Sequence, residues 1–280
     1  MLLLSSYERM RRYVSSQVGV ALTDSMGLKQ QFVGWIASAS KQIETYLGRY
    51  LTIAAYTEYF DALTNKDYVL FVRGYPITML TSVYQDGSSL WDGSESEVDD
   101  CFTGKNGDSI IMPIRPSTLG HKVLRTIYTG GLAYSGVKSI FTIASVAGTW
   151  TAGQIVAGGT SEAVGIVKAS TATTLTVEVL YGVFEALETL TEYTDETLTT
   201  TGDASATLSA ITQQSLVEQY PDIVRACEIQ VRHYWKHKDD FELSSTSKDG
   251  TNLRGREYND LAVLTPEAMS LLRPYRRLHT

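Results

Sequence analysis

The spacing of hydrophobic positions along this chain changes several times, and each change marks an element. Across residues 28 to 47 (LKQQFVGWIASASKQIETYL), Leu28, Phe32, Trp35, Ile36, Ala39, Ile43, Tyr46 and Leu47 recur at three- and four-residue steps, the apolar stripe of a helix. Asp24 or Ser25 can cap that helix and Gly48 can end it. The segment before it, with Glu8, Arg9, Arg11 and Arg12, fits a shorter helix or a loose arm equally well. The period then shortens. TIAAYTEYFDA (52–62), YVLFV (68–72) and YPITMLTSVYQDG (75–87) have the β-branched and aromatic content of strands. Pro76 marks a strand entrance and Asp86-Gly87 a turn. DGSSLWDGSESEVDD (86–100) is polar and acidic, a loop or hairpin tip. SIIMPI (109–114) and KVLRTIYTGG (122–131) add two short strands, giving a small antiparallel or mixed sheet.

From about residue 140 to 212 the composition turns to Thr, Ala, Gly, Val and Leu, with Lys168 the only basic residue. GTWTAGQIV (148–156) matches GVFEALETL (182–190) at an offset of 34 residues, in the order glycine, aromatic, Gln or Glu, aliphatic. A second strand-like run follows each copy, GIVKAS and then SATLSAI. The pattern predicts two or more β-hairpins sharing a core, an inserted all-β repeat domain over 140–212. Helix returns at YPDIVRACEIQVRHYWKHKDD (220–240), with Pro221 and Asp222 suited to the first turn. Ile223, Val224, Cys227, Val231, Tyr234 and Trp235 form its apolar side, and Arg225, Glu228, Arg232 and Lys236 face away. Residues 241–260 read as a polar loop or connection. The end, LTPEAMSLLRPYRRLHT, has Thr265 as cap, Pro266 and Glu267 in the first turn, and Pro274 to stop a helix of about two turns. So short a helix needs a surface, either its own domain or a neighbour. The expected fold is α+β: a helical core of long helices at 28–47 and 221–238, a short C-terminal helix and a small sheet. That core spans 1–139 and 213–280 and is interrupted by the inserted domain.

Composition narrows the function. A net charge of −7 argues against affinity for nucleic acid over the whole surface. Two cysteines, Cys101 and Cys227, do not make a disulfide framework and read as buried small hydrophobes or surface thiols. The best bilayer candidate, around 127–148, carries Lys138 and several glycines and hydroxyls, and the apolar run in MLLLSSYERM is too short for a signal-peptide core. A cytoplasmic origin is the default expectation.

Candidate chemistry is sparse. His233 and His237 stand one helical turn apart, a spacing that can bind a metal, but no glutamate follows His233, and the pair reads as part of a solvated basic face. Ser38/Lys41 and Ser245/Lys248 spell S-x-x-K without the partner motifs of acyl-transfer enzymes. The loop near Asp99 and Asp100 lacks the ligand spacing of a calcium loop. No phosphate loop, nucleophile elbow or paired-cysteine site occurs, so neither catalysis, cofactor nor metal is expected. Arg273, Arg276 and Arg277 gather beside Tyr275 and His279, and can grip phosphate, stack on bases or anchor an acidic partner protein. In an acidic chain the protein partner is the preferred reading.

The order of the parts resembles a family. IETYLGR at a helix end, then YTEYFD, YPITMLTSV, IYTGGLA, YPDIVRACEIQVRHYW and LLRPYRR are similar to the head–tail connector (adaptor, or head-completion) proteins of tailed bacteriophages, over roughly 25–136 and 214–278. The stretch from 140 to 212 departs from that pattern and resembles glycine-aromatic β repeats of phage structural proteins. The resemblance implies a non-enzymatic virion protein of the neck, made in the host cytoplasm and assembled as a dodecameric ring under the portal. Its partners would be the portal protein, a tail-side neck or tail-completion protein and other copies of itself, with double-stranded DNA passing unbound and no membrane involved. Within it, Leu271, Leu272, Arg273, Pro274, Tyr275, Arg276 and Arg277 form an arm for the portal or a neighbour. Trp150, Tyr181 and Phe184 are the candidate contacts of the insertion. Another neck, tail-completion or decoration protein, or a carbohydrate-binding module using those three aromatics, remain the alternatives.

Overall fold

The computed structural model describes residues 2–19, 22, 25–63, 68–88, 90–117, 119–195, 197–238 and 263–276. They form a mixed α+β protein with several helices and three β-sheets, one of them a closed six-stranded barrel. Packing divides the chain into two units, residues 1–47 with 135–280, and residues 48–134. In this division the barrel groups with the helices, and the smaller sheets stand as the other unit.

In the 48–134 unit, strands β1 (Ala54–Ala62), β7 (Gly120–Gly130), β3 (Ile77–Gln85) and β4 (Ser96–Glu97) form an antiparallel sheet in the order β1-β7-β3-β4. A second sheet has the order β2 (Val69–Phe71), β6 (Ser109–Ile111), β5 (Phe102–Thr103). Period-two alternation in β1 turns Tyr56, Glu58, Phe60 and Ala62 inward, as strand geometry requires. Leu70, Val72, Val83, Ile110, Met112, Val123, Leu124 and Tyr128 make the core. The inward carboxylate of Glu58 is used rather than stranded: it accepts from the Tyr128 hydroxyl and from the Arg73 backbone N–H at 3.1 Å. Burial, then this contact, pushes the Tyr128 hydroxyl pKa up. The acidic 86–100 segment is held at Asp86, Trp91 and Glu95. Asp86 accepts from Ser88 N (2.8 Å) and Trp91 N (2.8 Å), and Arg125 lies over the rings of Tyr84 and Trp91 while pairing with Glu95 at 2.6 Å. Gly131 in the TGG sequence has φ +128°, and a Cβ there would sit 2.1 Å from the Thr52 carbonyl oxygen, so the close strand crossing requires glycine.

In the other unit, α1 (Tyr7–Val18) resolves the ambiguous N-terminal segment as a helix, with Ser6 capping the Arg9 N–H at 3.2 Å. Helix α2 (Met26–Leu47) buries Phe32, Ile36, Ala39, Ile43 and Leu47 along the expected stripe. Helix α4 (Pro221–Lys236), which follows the short α3 (Leu216–Gln219), is enclosed on more sides than its sequence suggests: Ala226, Ile229 and Gln230 are buried along with the apolar stripe. Glu228, expected to face solvent, is also buried and ion-paired with Arg9 at 2.9 Å, because α1 covers that side of α4. Phe32 stacks on Trp235 with ring centres 5.4 Å apart, joining α2 to α4.

The barrel strands are β8 (Lys138–Ala147), β9 (Ile155–Gly158), β10 (Val164–Ser170), β11 (Thr174–Tyr181), β12 (Thr189–Tyr193) and β13 (Thr201–Gln213), in the closed order β10-β11-β8-β13-β12-β9. This order maps onto itself when β8 exchanges with β11, β9 with β12 and β10 with β13. Phe141 faces Leu175 in one ladder and Ala157 faces Thr191 in the opposite one, and in each pair the partners are 34 residues apart. An internal two-fold axis therefore passes through these two pairs. The repeated glycines occupy equivalent corners: Gly148 has φ +73° and Gly182 φ +78°. A Cβ would fall 2.0 Å from the Asp203 carbonyl oxygen at the first and 2.6 Å from the Ala163 Cα at the second. Trp150 and Phe184, two residues on, are both buried. The sheet closes because β8 of the first copy pairs with β11 and β13 of the second, so neither copy is a barrel alone.

Candidate functional site

The C-terminal segment forms α5 (Pro266–Leu272) followed by a 3-10 turn (Arg273–Tyr275). Thr265 caps the helix, accepting from Ala268 N at 3.3 Å, as its sequence predicts. The helix lies against α4 of its own chain. Ala268 and Leu272 are fully buried. The Gln230 side chain, itself buried in α4, accepts from Thr265 N at 2.9 Å and donates to the Val263 carbonyl at 3.3 Å, satisfying backbone groups at the approach to the helix. Arg232 pairs with Glu267 at 3.2 Å, the Tyr275 hydroxyl donates to Asp222 at 3.3 Å, and the Arg276 guanidinium sits 5.0 Å from the Tyr46 ring centre. Burial and then Asp222 raise the Tyr275 pKa. Leu272 is therefore a core residue of this chain and not a contact for another while α5 is docked. Arg273, Pro274 and Arg276 are exposed, and Leu271 and Tyr275 are half-buried beside them. Arg277, like His279, Asp24, Ser245 and Lys248, lies outside the described residues.

The three insertion aromatics do not share an exposed face. Trp150 and Phe184 are core residues, Phe184 packing on Phe141 with ring centres 5.0 Å apart. Tyr181 is 55% exposed. It lines a cavity of about 490 Å³ together with Arg9, Arg12, Tyr13, Leu180 and Glu228, all within the larger unit.

That cavity borders a polar network that sequence reasoning did not assemble. Arg9 donates through Nε to Glu228 at 3.0 Å and through Nη1 to the carbonyls of Val179 (2.9 Å) and Leu180, tying α1 to the end of β11. Ser6 donates to Glu178, which also holds Lys168 at 2.8 Å. Tyr13 stands beside Arg225, 4.2 Å from ring centre to guanidinium, and burial raises its hydroxyl pKa despite that cation. A second cleft of about 310 Å³ on the other side of α1 is lined by Glu8, Arg11, Arg12, Lys168 and Asp195. No local signal marked Glu228: with Arg225 and Arg232 three and four residues away it reads as part of a polar helix face, and a buried carboxylate is tolerated only with a cation near it.

These carboxylates and guanidiniums pair with one another and with backbone carbonyls. Among the described residues no group of three or more His, Cys, Asp or Glu is placed to hold a metal ion. Burial pushes the thiol of Cys227 up to about 12, and burial with Asp100 pushes Cys101 up to about 11, so neither is an activated nucleophile. No described helix is long and apolar enough to cross a membrane. A scan against models of known protein families and a search of curated proteins each find no match to this chain.

Proposed function

We propose that the chain is a structural protein of the neck of a tailed bacteriophage, a head–tail connector that forms a ring beneath the portal, extends the DNA channel and joins head to tail. One observation carries this reading: the ordered motifs of the resemblance fall on separate elements of one fold. IETYLGR closes α2, YTEYFD lies in β1, YPITMLTSV overlaps β3, IYTGG ends β7, YPDIVRACEIQVRHYW covers α4, and LLRPY runs from α5 through the 3-10 turn. The stretch that departs from the pattern coincides with the barrel. The chain leaves for the barrel and returns from it at bonded neighbours, Leu216 N to the Ser135 carbonyl and Val217 N to the Gly136 carbonyl, both 2.9 Å. A module can be added at such a point without altering the path on either side.

Charge is consistent with a DNA conduit. Residues 138–213 hold two lysines against eight carboxylates; Glu178, Glu188 and Glu192 are buried, and the acidic balance that remains, repeated around a ring, would repel phosphate and let DNA slide. The exposed rim of Arg273, Pro274 and Arg276 is the portion of the C-terminal segment left for the portal or a neighbouring copy. The carbohydrate-binding alternative loses two of its three aromatics to the barrel core. The test is native mass with negative-stain images of the purified chain, followed by binding to portal-bearing, tail-less capsids. Rings that bind such capsids, with binding lost in Arg273→Glu/Arg276→Glu at unchanged stability, support the proposal. Binding to tails and not to capsids makes the chain a tail-completion protein instead.

A further inference from the structure

We infer that His233 and His237 form a chelating site for a divalent late-transition ion, Cu²⁺ ahead of Ni²⁺ and Zn²⁺, on the last turn of α4. Spacing alone permits such a site, since residues four apart face each other on a helix. The structure adds geometry. The two imidazole centres are 4.5 Å apart, with the rings tilted by 54°. A metal–nitrogen bond of about 2.0–2.1 Å plus roughly 1.1 Å from nitrogen to ring centre places each centre about 3.2 Å from the ion. Two imidazoles at a right angle around one ion then have centres about 4.5 Å apart. A separation of that size lets both rings reach one ion, and the general affinity order places Cu²⁺ ahead of Ni²⁺ and Zn²⁺.

The turn is also closed before any metal arrives. The backbone N–H of His237 donates to the His233 carbonyl at 3.2 Å, and the helix behind it is anchored by buried Val231 and Tyr234. Both rings lie at intermediate exposure, so an ion can reach them from solvent. Each ring has other interactions within the chain, and metal binding is a competition with them. Among the described residues no third His, Cys, Asp or Glu joins the pair. The site is thus a two-imidazole chelate of moderate affinity whose effect is to clamp the C-terminal end of α4.

The experiment titrates the full chain, stripped of metal, with CuCl₂, NiCl₂ and ZnCl₂ separately by calorimetry, and records the Cu²⁺ electron paramagnetic resonance spectrum. The expected result is one Cu²⁺ bound by two imidazole nitrogens, with at least a tenfold loss of affinity in His233→Ala and in His237→Ala alike, and none in His121→Ala. Saturating Cu²⁺ should raise the unfolding temperature of the parent and of neither α4 variant, since a ligand selective for the folded state stabilises it. The metal-free unfolding temperatures verify that the variants fold. Affinity within threefold of the parent in either α4 variant, or a spectrum with a single imidazole nitrogen, overturns the site.

Discussion

Replacing Arg9 by Met removes the guanidinium that joins α1, α4 and β11 while keeping an apolar stem of similar reach. Arg9 and Glu228 side chains are 12% and 6% exposed, so solvent cannot take over the lost contacts. After the substitution Glu228 keeps, among the described residues, Ser5 at 3.5 Å and the more exposed Arg225 at 3.6 Å, and the carbonyls of Val179 and Leu180 lose a shared donor. Removing one partner of a buried pair costs about 3–5 kcal/mol. At roughly 2–4 °C per kcal/mol for a unit of this size, the unfolding temperature should fall on the order of 6–20 °C. Scanning calorimetry resolves the two packing units if they unfold apart, and only the transition of residues 1–47 with 135–280 should move. The double variant Arg9→Met/Glu228→Leu should recover much of the loss, because an apolar replacement of both charges leaves no stranded carboxylate. A shift equivalent to less than about 1 kcal/mol for Arg9→Met, or a double variant as unstable as the two singles summed, would refute the assignment of this pair as the tie between helix and barrel.

Other outcomes follow from the same geometry. Leu272→Ala should cost about 2–5 kcal/mol and release α5, read as increased amide exchange at Ala268 and along the exposed side of α4; unchanged protection would mean the helix is held by its polar contacts alone. Gly148→Ala and Gly182→Ala should each destabilise the barrel, the first more, since its Cβ meets backbone at 2.0 Å and not 2.6 Å; a negligible loss at either position in denaturant titrations would contradict the assignment of both glycines to strained corners. Cys227, whose pKa rises from 9.0 to about 12, binds its proton more tightly folded than unfolded. Its contribution to stability is complete below about pH 8.5 and is lost as pH climbs toward 12, so Cys227→Ser should flatten the alkaline limb of the stability–pH curve. Excising residues 138–213 behind a short linker should leave α2, α4 and α5 packed but expose amides of α1, which loses its Val179, Leu180 and Glu178 partners.

Several features were legible in the chain itself. The α2 stripe, the Thr265 cap, the Gly48 stop and the 34-residue repeat all arise from local rules, in which a residue's own conformation and its neighbours three or four positions away decide the outcome. The repeat even carried its symmetry in sequence, because the same glycine and aromatic are needed at each equivalent corner. Closure of the barrel was not legible. Hairpin logic pairs strands near in sequence, whereas β8 pairs with β11 and β13, and that choice depends on burying both copies at once. Glu228 was misplaced for the same reason: its helical face is polar by periodicity, and only the arrival of Arg9, 219 residues away, makes burial tolerable.

The C-terminal segment divides the two kinds of information most clearly. Sequence by itself determined that PEAMSLL is a two-turn helix capped by Thr265 and stopped ahead of Pro274, since capping and proline act within a few residues. It could not determine what the helix lies against, because a short amphipathic helix fits any apolar surface with suitable rim charges. Tertiary structure decided that by placing Gln230, Arg232 and Asp222 of α4 where they meet Thr265, Glu267 and Tyr275, so Leu272 is buried within its own chain and Arg273 and Arg276 stay in solvent.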